Sequence, residues 1–179
     1  VLSEFNSLTK TIGDSSFRLS PPESMSNGTF MYASSNTEVA TISGNIVNMI
    51  AGGYTIITAT QAATSDYASK TINCNLIVNK KNTVLSVFNN ITKNFGDANF
   101  ILNKPLSNST GEFLYTSSNT EVASISGNKV TIVGTGSTTI TATQGETSTH
   151  TSETINLTLI VNKKKTVLSE FNNFDKTLN

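Results

Sequence analysis

Residues 154–161, TINLTLIV, set Ile155, Leu157, Leu159 and Val161 on one face and Asn156, Thr158 and Ile160 on the other. A period of two is the mark of a half-buried strand. The same alternation runs through Ile72, Cys74, Leu76 and Val78. In STTITA, residues 137–142, it points Thr138, Ile140 and Ala142 one way. ISGNKVTIV, residues 125–133, reads as a strand, a tight Gly-Asn turn and a returning strand. Helical spacing is nearly absent. The pattern predicts seven short strands, near 1–6, 15–20, 29–34, 38–43, 46–50, 54–61 and 70–79, and the same set again 83 residues on.

That offset is a repeat. SSNTEVA stands at 34–40 and again at 117–123. Sliding the chain by 83 matches 49 of 83 positions without a gap. A third copy opens at Val167 with VLSEFNNFDKTLN. The expected domains are residues 1–83 and 84–166, with 167–179 as the first strand of a third repeat. This last strand either starts a further domain or is offered to a neighbour, and the chain reads as a window on a longer array. Seven strands in some 80 residues, punctuated by turns, predict an all-β chain of tandem immunoglobulin-like β-sandwiches. The junctions, NKKNT and NKKKT, carry no Gly/Ser spacer, which favours a rod of limited flexibility.

Several runs recur in both copies: K-x-x-G-D-x-x-F-x-L, then Y-x-SSN-x-EVA-x-ISGN-x-V, then TITATQ in the second copy, then LIVNK. Together they resemble the tandem bacterial Ig-like repeats of very large surface proteins, a group similar to the group-2 bacterial Ig-like domains. The resemblance covers both full repeats. It implies extracellular, adhesive or stalk-like roles, in bacteria, phages or some giant viruses. It brings no shared catalytic residues.

Composition narrows the choice of partner. Charged residues are 13% of the chain, about half the usual share, and the formal net charge is zero. With no basic stripe to neutralise phosphates, nucleic acid is excluded as a partner. No apolar run reaches the roughly 20 residues that span a bilayer, so no membrane insertion is expected in this segment. Cys74 is the only cysteine, which rules out an internal disulfide.

Candidate chemistry is sparse. Gly13-Asp14 and Gly96-Asp97 read as turns, since one carboxylate does not make a calcium site of six or more oxygens. Glu38 and Glu121 have no second acid nearby in sequence, as a catalytic pair requires. His150 faces Tyr67 in the other copy, so a metal site or triad built on it exists in one repeat only. Cys74 faces Leu157 and reads as a small buried hydrophobe. Asn27, Asn90, Asn108 and Asn156 open N-x-[ST] sequons, which matter only in a glycosylating source. The chain is therefore expected to be no enzyme, with no catalytic, cofactor or metal residues.

One difference between the copies is informative. With Ile57, Ala59 and Leu76 inward, Met31, Ala33, Tyr54, Ile56 and Ile77 face outward on one sheet. The second copy has Leu114, Thr116, Ser137, Thr139 and Ile160 there. The first repeat thus presents the more apolar outer face, a candidate protein-contact surface. The expected partners are other copies of the chain, neighbouring repeats, or a host-surface protein or glycan. The expected location is extracellular, on a cell or virion surface. The rival reading is a carbohydrate-binding or accessory module of a larger secreted enzyme.

Overall fold

The computed structural model describes residues 2–168. Among them lie β1 (Leu8–Thr11), β2 (Phe17–Arg18), β3 (Phe30–Ser34), β4 (Ala40–Ser43), β5 (Ile46–Met49), β6 (Gly53–Gln61) and β7 (Lys70–Asn79). The second copy supplies β8 (Ile91–Asn94), β9 (Phe100–Ile101), β10 (Phe113–Ser117), β11 (Ala123–Ser126), β12 (Lys129–Ile132), β13 (Gly136–Gln144) and β14 (Glu153–Asn162). No helix occurs among the described residues. The chain divides into two compact units. Among the described residues one is 2–86 with Pro105–Phe113 and Thr143–Thr154; the other is Val87–Lys104 with Leu114–Ala142 and 155–168. Residues 169–179, most of the expected third-repeat strand, lie outside the described residues.

In the first repeat a four-stranded sheet, β1-β7-β6-β3, and a three-stranded sheet, β2-β5-β4, share one core. The alternation of β6 turns Thr55, Ile57, Ala59 and Gln61 inward, all buried. Ile57 lies opposite Cys74 and Thr55 opposite Leu76, so the two central strands bury the same face. Leu19, Val39, Ala40 and Val47 close the core from the other side. Each large aliphatic buried this way contributes about 1.5–3 kcal/mol. In the second repeat β10-β13-β14-β8 and β11-β12-β9 repeat the strand order. Ile140, Leu157, Leu159 and Val161 are buried as their alternation predicts.

The first strand falls elsewhere than expected. β1 is Leu8–Thr11, paired parallel to β7 with Leu8 opposite Leu76 and Thr11 opposite Asn79. Residues 2–6 form no strand; Ser3 N–H donates to Glu23 O at 3.0 Å, and the Phe5 ring lies 6.3 Å from that of Tyr32. Leu2 and Phe5 are three residues apart, and a strand cannot turn both to one face.

Candidate contact face

The side chains of the repeated heptapeptide are used at home. Thr55, fully buried at the start of β6, meets the Ser34 hydroxyl at 2.8 Å and accepts the Asn36 N–H at 3.0 Å. Asn36 Oδ1 accepts the Glu38 N–H at 3.1 Å, and Ser35 Oγ accepts the Ile56 N–H at 2.9 Å. The second repeat builds the same corner on Thr138, with Ser117 at 2.8 Å and the Asn119 N–H at 2.9 Å. These short polar side chains satisfy backbone groups that the crossover from β3 to β4 leaves unpaired. Glu38 and Glu121 point to solvent.

A second polar device has no counterpart in the sequence reading. Gln61 Nε2 donates to Ser26 O and Gly28 O, each at 3.0 Å, while its Oε1 accepts from Ser24 Oγ at 2.6 Å. Gln144, wholly buried, does the same with Ser109 O at 3.0 Å, Gly111 O at 2.8 Å and Ser107 Oγ. The glutamine ties the loop before β3 or β10 to the end of β6 or β13. The signal was available: two residues beyond Ala142, the alternation places Gln144 inward. A β-carbon at Gly28 would stand 2.2 Å from Ala62 O, and one at Gly111 2.0 Å from Gly145 O. Glycine is what lets the loop approach that strand end.

The remaining candidates are turn or core groups. Asp14 Oδ2 accepts the Thr11 N–H at 2.9 Å and Asp97 Oδ2 the Asn94 N–H at 2.8 Å, with Gly13 at φ 93° and Gly96 at φ 90°. His150 Nδ1 bonds Thr149 Oγ1 at 3.0 Å. Cys74 is buried, and burial pushes its thiol above the ordinary range. Among the described residues no three His, Cys, Asp or Glu side chains gather as metal ligands, and no helix is long and apolar enough to cross a membrane.

The five face residues lie where the alternation puts them. Met31, Tyr54 and Ile77 are 65%, 51% and 45% exposed, Ala33 is exposed and Ile56 half-buried. Tyr54 stands directly opposite Ile77, and Ile56 opposite Asn75, whose Oδ1 accepts the Tyr54 hydroxyl at 2.7 Å. Met31 and Ala33 form the rim, opposite Thr60 and Thr58. The other outward residues of these strands are Thr or Asn, so the face carries no charge. In the second repeat Leu114 and Ile160 are exposed, but Thr116, Ser137 and Thr139 make the rest of that face polar. Beside its β1 and β2, the first repeat also has an open groove of about 670 Å³. Phe5, Lys10, Phe17, Arg18 and Glu23 help to line it. Lys10 Nζ lies 5.1 Å from the centre of the Phe17 ring.

Four strands packed on three in this order make each repeat an immunoglobulin-like β-sandwich, and the chain a tandem of Ig-like domains. Residues 102–155, within the second repeat, match the family model of the Bacterial Ig-like domain (group 2). Comparison with curated proteins gives no match. Among solved structures, human protocadherin-24 EC1-2 is similar at 12% identity and a TM-score of 0.35, over 89% of this chain and 95% of that one. Domains 4 and 5 of the S-layer protein SbsC align at 23% identity and a TM-score of 0.32, over 74% and 76%. BT4661, a SusE-like surface-located polysaccharide-binding protein from Bacteroides thetaiotaomicron, aligns at 14% and 0.32, over 90% of this chain and 34% of its own.

Proposed function

We propose that the chain is part of a non-enzymatic structural and adhesive array, a stalk, fibre or filament, on the outside of a cell or virion. The domains, with boundaries near residues 83 and 166, supply reach, and contact comes from their sheet faces. The observation that carries this reading is the uncharged outer face of Met31, Ala33, Tyr54, Ile56 and Ile77 on the first repeat. The polar side chains that recur between repeats serve their own corners, as at Thr55 and Gln61. The apolar face serves none.

The occupant of the face is another copy of this chain. An uncharged surface offers nothing to pair with a charged one, and burying a lone charge against it is costly. A second such face brings no charge. The test exchanges Tyr54→Ser and Ile56→Thr, copying the second repeat. Self-association then weakens while the thermal unfolding curve holds; unchanged self-association rejects the reading.

The groove beside Phe5 and Phe17 favours a second reading, a carbohydrate-binding module or accessory domain of a larger secreted enzyme. The groove sets two half-buried aromatic rings beside charged side chains, Lys10, Arg18 and Glu23, the mix of groups a sugar-binding cleft uses. A glycan array separates the two: binding that disappears on Phe17→Ala supports the module, and an array with no hit rejects it.

A further inference from the structure

β3 is the outer strand of its sheet, with β6 on one side and no strand on the other among the described residues. Its hydrogen-bonding phase is fixed at both ends. Ala62 N–H donates to Thr29 O and Ser35 N–H to Ile56 O, each at 2.9 Å. Bonded and non-bonded positions alternate along an antiparallel pair. Residues 29, 31, 33 and 35 therefore bond to β6. Phe30, Tyr32 and Ser34 turn their backbone N–H and C=O groups away from it.

Open edges are ordinarily guarded by a charge, a proline or a bulge. From Ser24 through Thr37 there is no charged residue and no proline. The second repeat differs here: Glu112 directly precedes β10, and Thr116 replaces Ala33.

We infer that β3 of the first repeat pairs antiparallel with β3 of a second copy of this chain, about a two-fold axis at Tyr32. This rests on the Met31–Ala33 rim of the contact face proposed above and names its register; Tyr54, Ile56 and Ile77 make no contact across the pairing. Around that axis Phe30 meets Ser34 of the second copy, Tyr32 meets Tyr32, and Ser34 meets Phe30. All are positions whose backbone groups point outward, so each pair exchanges both of its hydrogen bonds. On the outer face Met31 comes opposite Ala33 of the second copy, and Ala33 opposite its Met31. These are non-bonded positions, where side chains approach most closely, and a large side chain meets a small one at each. The two four-stranded sheets join into one of eight, with both Tyr54–Ile56–Ile77 patches on the same side. An interface this small belongs to the transient class, below about 1,200 Å² in total.

Cross-linking tests the register in the full 179-residue chain. Met31→Cys and Ala33→Cys chains are prepared separately with distinguishable tags, mixed and oxidised. Opposed non-bonded residues stand about 4.5 Å apart between Cα atoms, within disulfide reach. Two copies of the same position are diagonal, about 7–8 Å apart, and beyond it. The native Cys74 is buried and stays silent. The mixture is expected to give a cross-linked heterodimer that neither variant gives alone, and Met31→Lys in the native background to lose self-association. Equal cross-linking in the mixture and in each variant alone overturns the register. If the chain self-associates, Tyr54→Ser with Ile56→Thr weakens it, and the mixture still fails to cross-link, then edge pairing is overturned while the contact face stands. Cross-linking in the mixture that survives Tyr54→Ser with Ile56→Thr unchanged supports the edge pairing, which makes no contact through those two side chains.

Discussion

The backbone N–H of Asn36 donates to the hydroxyl of Thr55 at 3.0 Å, and that of Asn119 to Thr138 at 2.9 Å. One buried threonine holds the corner on which each sandwich turns from one sheet to the other. Thr55→Val keeps the shape and removes the partner of Ser34 and Asn36. Orphaned buried polar groups cost about 1–3 kcal/mol. The first repeat should lose that much stability in urea, with faster hydrogen exchange at the β6 amides. Thr138→Val should do the same to the second repeat. A valine variant as stable as the parent refutes this account of the corner.

Gln144 offers a sharper case, because it is wholly buried with three loop partners. Gln144→Leu strands the carbonyls of Ser109 and Gly111 and should cost about 1–3 kcal/mol. Gly111→Ala attacks the same junction from the other side, since its β-carbon meets a backbone carbonyl rather than a yielding side chain. If the two act on one junction, the double variant loses less than the sum of the singles. Full additivity in urea melts contradicts the coupling.

Alkaline pH should unfold the two repeats differently. Burial raises the thiol of Cys74 and the phenols of Tyr32 and Tyr115. The folded chain then holds protons that the unfolded chain releases, so this stability is complete below the unfolded pKa and is lost as pH rises. An unfolded thiol titrates at about pH 8.5 and a phenol at about 10. The first repeat should therefore weaken from about pH 8.5, and the second, with Leu157 in place of Cys74, only near 10. Cys74→Leu should move the onset in the first repeat to that of the second. Stability flat to pH 11 in the parent, or an onset unmoved by Cys74→Leu, counts against it.

Much of the fold was legible because its signals are local. The inward faces of β7 and β14 follow from period-two spacing alone, and a gapless 83-residue period carries every assignment from one repeat to the other. The Gly127-Asn128 turn between β11 and β12 follows from its residues. What escaped depends on partners distant in sequence. β1 sits at Leu8–Thr11 because it pairs parallel with Leu76–Asn79, a contact no local pattern reveals. Gln61 and Gln144 continue an inward alternation, but their polarity hides them among the surface threonines. The same alternation turns Met31, Ala33, Tyr54 and Ile77 outward and leaves Ile56 half-buried. The two parts of this outer face, the Tyr54–Ile56–Ile77 patch and the Met31–Ala33 rim, needed the cross-strand register.

Sedimentation velocity of the 179-residue chain across a concentration range, beside its Tyr54→Ser, Ile56→Thr variant, addresses the proposed contact role most directly. The parent should self-associate with rising concentration and the variant should not, with the same unfolding temperature in both. Association that persists unchanged in the variant, or a parent chain that stays monomeric throughout, contradicts that role.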